Sequence, residues 1–193
     1  GAADHAGTAK ADSRASFARG LMPLASVSRA NWDNLAKRAV EPNAYYLADW
    51  ERAVDAYATG RTGASALTAW NAPAPDAGSA PTLNGLVPVV SLWQAYRLPL
   101  SVLVSADPYG TLGTPLLDRH TSREAATALL KEARSAGARA LLVRDVALDG
   151  KALAAFTAAL ARDDLRPRLL SAHARACLDA TRDAETLLRD ALG

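Results

Sequence analysis

Between residues 106 and 121 the chain reads ADPYGTLGTPLLDRHT. Gly110 and Gly113 follow Tyr109 there, and glycine amides carry no Cβ that would keep an anion away. Tyr109, Gly110 and Gly113 are therefore candidates for an anion-binding nest. The same glycines also read as turn formers flanking Tyr109 and Pro115. The other reactive side chains are dispersed. His5, His120 and His173 show no spacing that would place two of them on one metal ion. Cys177 would need a histidine base to act as a nucleophile. His173 lies four residues before it, and on a strand that separation exceeds hydrogen-bond reach, so Cys177 reads as a structural thiol. Tyr45, Tyr46 and Trp50 form an aromatic cluster suited to a core or an interface. No residue set here makes a catalytic or metal constellation.

The elements that would position these residues follow from periodicity and punctuation. Residues 17–27 read as a first strand. Ser28 is a candidate N-cap, with Val27 and Trp32 as a hydrophobic staple. Trp32, Leu35, Ala36, Ala39 and Val40 recur at helical spacing until Pro42 and Asn43. A second helix is expected over 46–58 with Leu47, Trp50, Ala53, Val54 and Tyr57 buried, and Gly60 just past its end. Strands are expected at 64–71 and 82–92, separated by a loop over 72–81. Pro88 cannot donate to a ladder and marks an edge or a bulge. Another strand spans 98–105. After the loop over 106–120, Thr121 and Glu124 have the spacing of a capping box for a helix to Ala136. Its core residues are Leu129, Leu130 and Ala133, and Gly137 ends it. A strand at 138–146 and a helix at 150–162 follow, the helix capped by Asp149 and facing inward with Leu153, Phe156 and Leu160. A strand at 166–178, carrying Arg166, Arg168 and Arg175, and a helix at about 183–192 complete the chain. This order predicts one α/β domain over 17–193, with a mixed, mostly antiparallel sheet and helices on both faces. Residues 1–16 are polar, rich in small side chains, and expected to be disordered.

Composition narrows the function classes. The chain has 193 residues, half of them apolar, and a formal net charge of +2. That length can bury a full core, and that charge argues against a nucleic-acid binder. A single cysteine rules out an intrachain disulfide. No apolar run would span a bilayer, and no signal-peptide pattern stands at the start. A cytoplasmic protein is the expectation.

The element order and four local stretches resemble the CelD/BcsL-type acetyltransferases of the GNAT superfamily, proteins linked to cellulose biosynthesis. The stretches are NWDNLAKRAVEPNAYYLADW (31–50), LVPVV (86–90), PYGTLGTPLLD (108–118) and RACLDATRDAETLLRDALG (175–193). The resemblance spans about residues 27–193. It implies the N-terminal GNAT-like half of a tandem protein, whose partner is a C-terminal catalytic half or, failing that, a second copy. Acetyl-CoA would serve the full-length protein, with no cofactor held by this half. GNAT enzymes hold the pyrophosphate at a helix after the fourth strand, opened by Arg or Gln, two residues, Gly, one residue, then Gly or Ala. Here the helix opens with Asp118, Arg119, His120 and Thr121, and Asp118 would repel a phosphate unless paired. Tyr109, Gly110 and Gly113 would form at most a degenerate CoA loop. The strand at 98–105 lacks the usual glutamate base, and the helix at 150–162 offers Phe156 but no tyrosine acid. The resemblance also makes Tyr45, Tyr46, Trp50 and Asp107 candidates for an acceptor groove. Two other readings remain: a complete small acyl-CoA enzyme using the loop at 106–120, and a protein-interaction module.

Overall fold

A computed structural model of the chain describes residues 20–58, 63–71, 80–106 and 109–174, together with Arg189. The elements run β1 (Leu21–Pro23), α1 (Arg29–Arg38), α2 (Ala48–Tyr57), β2 (Ser65–Asn71), β3 (Thr82–Ser91), α3 (Leu92–Tyr96), β4 (Val102–Ser105), β5 (Leu116–Leu117), α4 (Ser122–Ser135), β6 (Ala140–Leu142) and α5 (Lys151–Ala161). Short 3-10 turns at Leu24–Ser26 and Ala44–Tyr46 precede α1 and α2. The strands make one sheet in the order β1-β2-β3-β4-β6, with β5 also on β3. All pairings are antiparallel except β4 with β6. The chain is thus α/β, with the mixed, mostly antiparallel sheet the sequence predicts.

Alternation along the strands divides the core in two. Ala66, Leu83 and Leu86 face α1 and pack with Trp32, Leu35 and Tyr46. Leu67, Ala69, Val87 and Val89 face the other way, onto Ala125, Leu129 and Ala133 of α4 and Phe156 of α5. Successive strand residues point to opposite faces, so helices cover both sides. Val27 and Trp32 are both buried on the first side, where a hydrophobic staple would put them.

β4 and β5 together form one interrupted neighbour of β3. Residues 89–91 pair with 103–105, and 85–86 pair with 116–117. The loop at 106–115 leaves at the interruption. Pro88 lies in this central strand, not at an edge. Its carbonyl accepts the Ala106 amide at 2.7 Å, so its missing N–H points to the same side, where β4 and β5 part.

Several expected features differ. Ser28 precedes α1 but makes no side-chain cap bond. The capping box forms at Ser91 and Gln94, opening α3, an element absent from the sequence reading. At α4, Thr121 makes no cap bond; just before it, the Asp118 carboxylate holds the His120 amide at 2.9 Å. At α5, Asp149 is not the cap. Glu41, remote in sequence, accepts the Ala152 amide at 2.7 Å and neutralises that helix end. The strand expected at 166–178 is not formed over 165–174, where the side chains are exposed and no strand pairs with them. Residues 1–16, 175–178 and 183–188, along with Gly60, lie outside the described residues.

α2 is reversed relative to its expected burial. Leu47, Trp50 and Tyr57 are exposed, whereas Ala48 and Glu51 are buried. Polar anchors account for the rotation. Arg52 donates to the Val27 carbonyl at 2.7 Å, and Asp55 accepts the Ala64 amide at 2.8 Å. These bonds turn the charged side of the helix toward the protein.

Candidate functional site

The loop at 106–115 is held from three directions. Asn43 is buried, and its side-chain amide donates to the carbonyls of Leu112 and Thr114 at 3.1 and 2.9 Å while its Oδ1 accepts the Tyr45 amide at 3.0 Å. Tyr46 donates its hydroxyl to the Ala106 carbonyl at 3.3 Å. From the β6 side, the Asp145 carbonyl accepts the Gly113 amide at 2.9 Å. Arg144 then locks that side to β4: its amide donates to Ser105 Oγ at 3.0 Å and its guanidinium to the Ser105 carbonyl at 3.1 Å. Asp145 has a positive φ of 54°, a conformation asparagine and aspartate tolerate better than most.

Glycine at 113 is required by this approach. A Cβ there would lie 2.1 Å from the Arg144 carbonyl oxygen. The cleft between the loop, Tyr46, Ser105, Arg144 and Asp145 has about 10 Å³ of enclosed space, room for one water molecule.

The start of α4 is the second place where an anion would bind, since a helix N-terminus offers free amides and a positive dipole end. The three amides just ahead of the helix, at 119–121, have protein partners. Arg119 donates to the Arg38 carbonyl at 2.9 Å, His120 to Asp118 Oδ1 at 2.9 Å, and Thr121 to the Asp118 carbonyl at 3.2 Å. Asp118 is buried and also takes Arg38 Nε at 2.8 Å. The carboxylate anticipated to repel a phosphate is paired and sits against the helix end as an internal anion. Farther along the first turn, backbone hydrogen bonding holds the Glu124 carboxyl below the usual carboxylate range, with Arg123 adding to the effect.

The structure brings some predicted residues together and separates others. Tyr45 and Trp50 meet edge to face with centroids 5.6 Å apart, and Thr111 joins them by a 3.3 Å hydrogen bond to the Tyr45 hydroxyl. Tyr46 is fully buried in the α1-side core. Tyr109 is exposed, and Gly110 lines the small cleft. His120 is exposed at the helix start, and His173 lies 3.8 Å from Asp145 Oδ1. Asp107, His5 and Cys177 lie outside the described residues. Among the described residues no cluster of His, Cys, Asp or Glu could hold a metal ion, and no helix is long and apolar enough to cross a membrane.

Residues missed by the sequence reading include Arg38, Glu41, Asn43 and Arg144. Glu41 and Asn43 flank Pro42, and the segment Glu-Pro-Asn reads locally as a helix stop. Its second role becomes visible only when residues 111 positions away return to it, as Ala152 does to Glu41.

Comparison with protein-family models, with curated proteins and with solved structures gives no match for this chain.

Proposed function

We propose that this chain is a GNAT-like α/β half-domain that does not bind or transfer acyl groups by itself, and that it supports a catalytic half of the same superfamily. The observation that carries the reading is the turn that leads into α4. Its three consecutive amides, at 119–121, already have partners within the protein, one of them the Asp118 carboxylate, which is paired with Arg38. An anion placed against this turn would find no free donor from these three residues.

The path of the chain supports the same reading. Two helices after a first strand, three antiparallel strands, and a parallel return through α4 are in keeping with the order the resemblance implies, whereas α3, β5 and the absence of a strand over residues 166–174 depart from it. The described part of the loop at 106–115 lies at the interruption between β4 and β5, with a water-sized cleft beside Gly110 and Gly113. Acyl transfer to an amine also needs a base for the amine and an acid for the leaving thiolate. β4 carries Val102, Leu103, Val104 and Ser105, and α5 carries no tyrosine. Acetyl-CoA and the polysaccharide-related role belong, on this reading, to the full tandem protein.

The test is thiol release. Incubating the purified chain with acetyl-CoA and a panel of amine acceptors is expected to liberate free CoA no faster than buffer does. Multiple turnovers per chain, abolished by substitution within the loop at 106–115, would establish the complete-enzyme reading instead.

A further inference from the structure

Between β3 and β4 the chain makes an outward turn whose large side chains stay outside. α3 buries only Leu92. Trp93 is 51 % exposed, Tyr96 49 %, Leu98 49 % and Leu100 61 %. Every residue from Tyr96 to Ser101 is exposed, so this stretch projects from the body. Its backbone is nevertheless held in one shape. Arg97 ends α3 in the left-handed region, at φ 60°, with its amide on the Trp93 carbonyl at 2.9 Å. The Leu100 amide bonds to the Leu98 carbonyl at 2.9 Å and the Val102 amide to the Leu100 carbonyl at 2.8 Å. Pro99, between the two leucines, has its φ fixed by its ring. From the end of β6, Arg144 donates to the Tyr96 hydroxyl at 3.4 Å. A contiguous apolar patch on a braced turn marks a contact surface, unlike apolar residues scattered singly.

The charge around this turn has one sign. From Ser91 to Ser105 and from Ala133 to Arg144 the sequence holds no Asp or Glu, and it holds Arg97, Arg134, Arg139 and Arg144. The fold joins the two stretches. The Arg139 amide donates to the Ser101 carbonyl at 2.7 Å, and β4 pairs with β6 from Val102 and Ala140 onward. Arg144 is occupied in bracing Tyr96 and Ser105. Arg97, Arg134 and Arg139 are exposed, and among the described residues none of the three is in an ion pair. The Arg97 guanidinium lies 5.8 Å from the Trp93 ring centre, a cation–π contact that keeps its charge beside the aromatic patch.

We propose that this turn docks the protein peripherally on an anionic lipid surface. Leu98 and Leu100 enter the boundary of the hydrocarbon, Trp93 and Tyr96 sit at headgroup depth, and Arg97, Arg134 and Arg139 meet lipid phosphates. The order of the groups matches the layers of a bilayer. The leucines are on the projecting turn, whereas Arg134 and Arg139 belong to the end of α4 and the start of β6 behind it. Trp and Tyr favour the membrane–water interface because one part of each ring is apolar and another is polar. Two leucines alone give marginal, reversible attachment, and stable attachment takes a second attraction. Three unpaired arginines without a neighbouring acid supply it through the negative surface potential. Because the turn is already bonded into shape, docking does not have to order it.

Vesicle flotation with the full chain tests this. Vesicles of phosphatidylcholine containing about one-third phosphatidylglycerol are expected to carry the protein, and vesicles of phosphatidylcholine alone to leave it behind. Raising sodium chloride from about 0.05 to 0.5 M should release most of the bound protein. Leu98→Glu and Leu100→Glu should each weaken binding about tenfold or more, and Arg139→Gln about fivefold. All three variants should melt near wild type, because these side chains are at the surface. No flotation with the anionic vesicles at roughly millimolar lipid would overturn the site. Binding that survives both glutamates, or that is equal on the neutral vesicles, would overturn it as well. Self-association or retention on immobilised polyglutamate, lost in the same variants and without flotation, would assign the turn to a protein partner and overturn the lipid site equally.

Discussion

Gly113→Val is expected to destabilise the protein by about 3 kcal/mol or more, lowering the melting temperature by roughly 6–12 °C for a chain of this size. The cause is backbone collision. The added Cβ would sit 2.1 Å from the Arg144 carbonyl oxygen, and that carbonyl belongs to a segment tied to β4 by two bonds. Relief requires the loop to move out, which breaks the Gly113 amide bond to Asp145 and strains the two Asn43 bonds on the opposite side. Gly113→Ala should fall nearly as far, because the first added atom already clashes. Differential scanning calorimetry of the two variants decides the matter. A Gly113→Val protein as stable as wild type would show that the loop does not lie against β6 as described.

Asp118→Asn carries the second large effect, a loss of about 2–3 kcal/mol. Removing one partner of a well-buried ion pair typically costs more than that. The figure is reduced here because the Arg38 and Asp118 side chains retain 25 % and 12 % exposure, and because Arg38 keeps its bonds to Asn34 and the Leu83 carbonyl. The remaining amide oxygen of the asparagine can still accept from His120, but its NH2 then faces the Arg38 Nε–H donor to donor, so the loss combines the charge, one hydrogen bond and that mismatch. A double-mutant cycle with Arg38→Met, followed by urea unfolding, should return a coupling of about 1–2 kcal/mol. Strict additivity of the two substitutions would show that the pair does not act as one.

Local patterns were legible in the sequence where side-chain periodicity and burial agreed. The stripe containing Trp32 and Leu35 placed α1, and Leu129 and Ala133 placed α4, because these residues pack on the sheet as their spacing implies. α2 misled the same logic. Its apolar spacing is clear, but the polar side is held inward by Arg52 and Asp55 through partners at Val27 and Ala64 that no local window contains. Caps also departed from their local spacing. Thr121 and Glu124 have the right spacing but form no cap bond, and the turn before them is held by Asp118, fixed by Arg38 from 80 residues away. At α5, Glu41 took the place of Asp149. The α3 capping box, Ser91 to Gln94, was readable in the sequence and was obscured by the apolar run of β3 before it.

The candidate site was legible mainly through what it lacks. The absence of glycine between Asp118 and Thr121 can be read directly from the residues. Pairing of Asp118, and the closure of each amide beside it, needed the fold. Likewise Gly110 and Gly113 read as equivalent in sequence; both border the small cleft in the structure, and the close approach of Gly113 to the Arg144 carbonyl needed the fold.

Titration calorimetry of the purified chain with acetyl-CoA tests the central claim most directly. If the start of α4 is closed by Asp118 and its neighbours, the titration gives heats of dilution alone, with no saturation up to roughly millimolar ligand. A saturable isotherm in the micromolar range, weakened when salt screens the phosphates, would contradict that account and show that this half holds the cofactor after all.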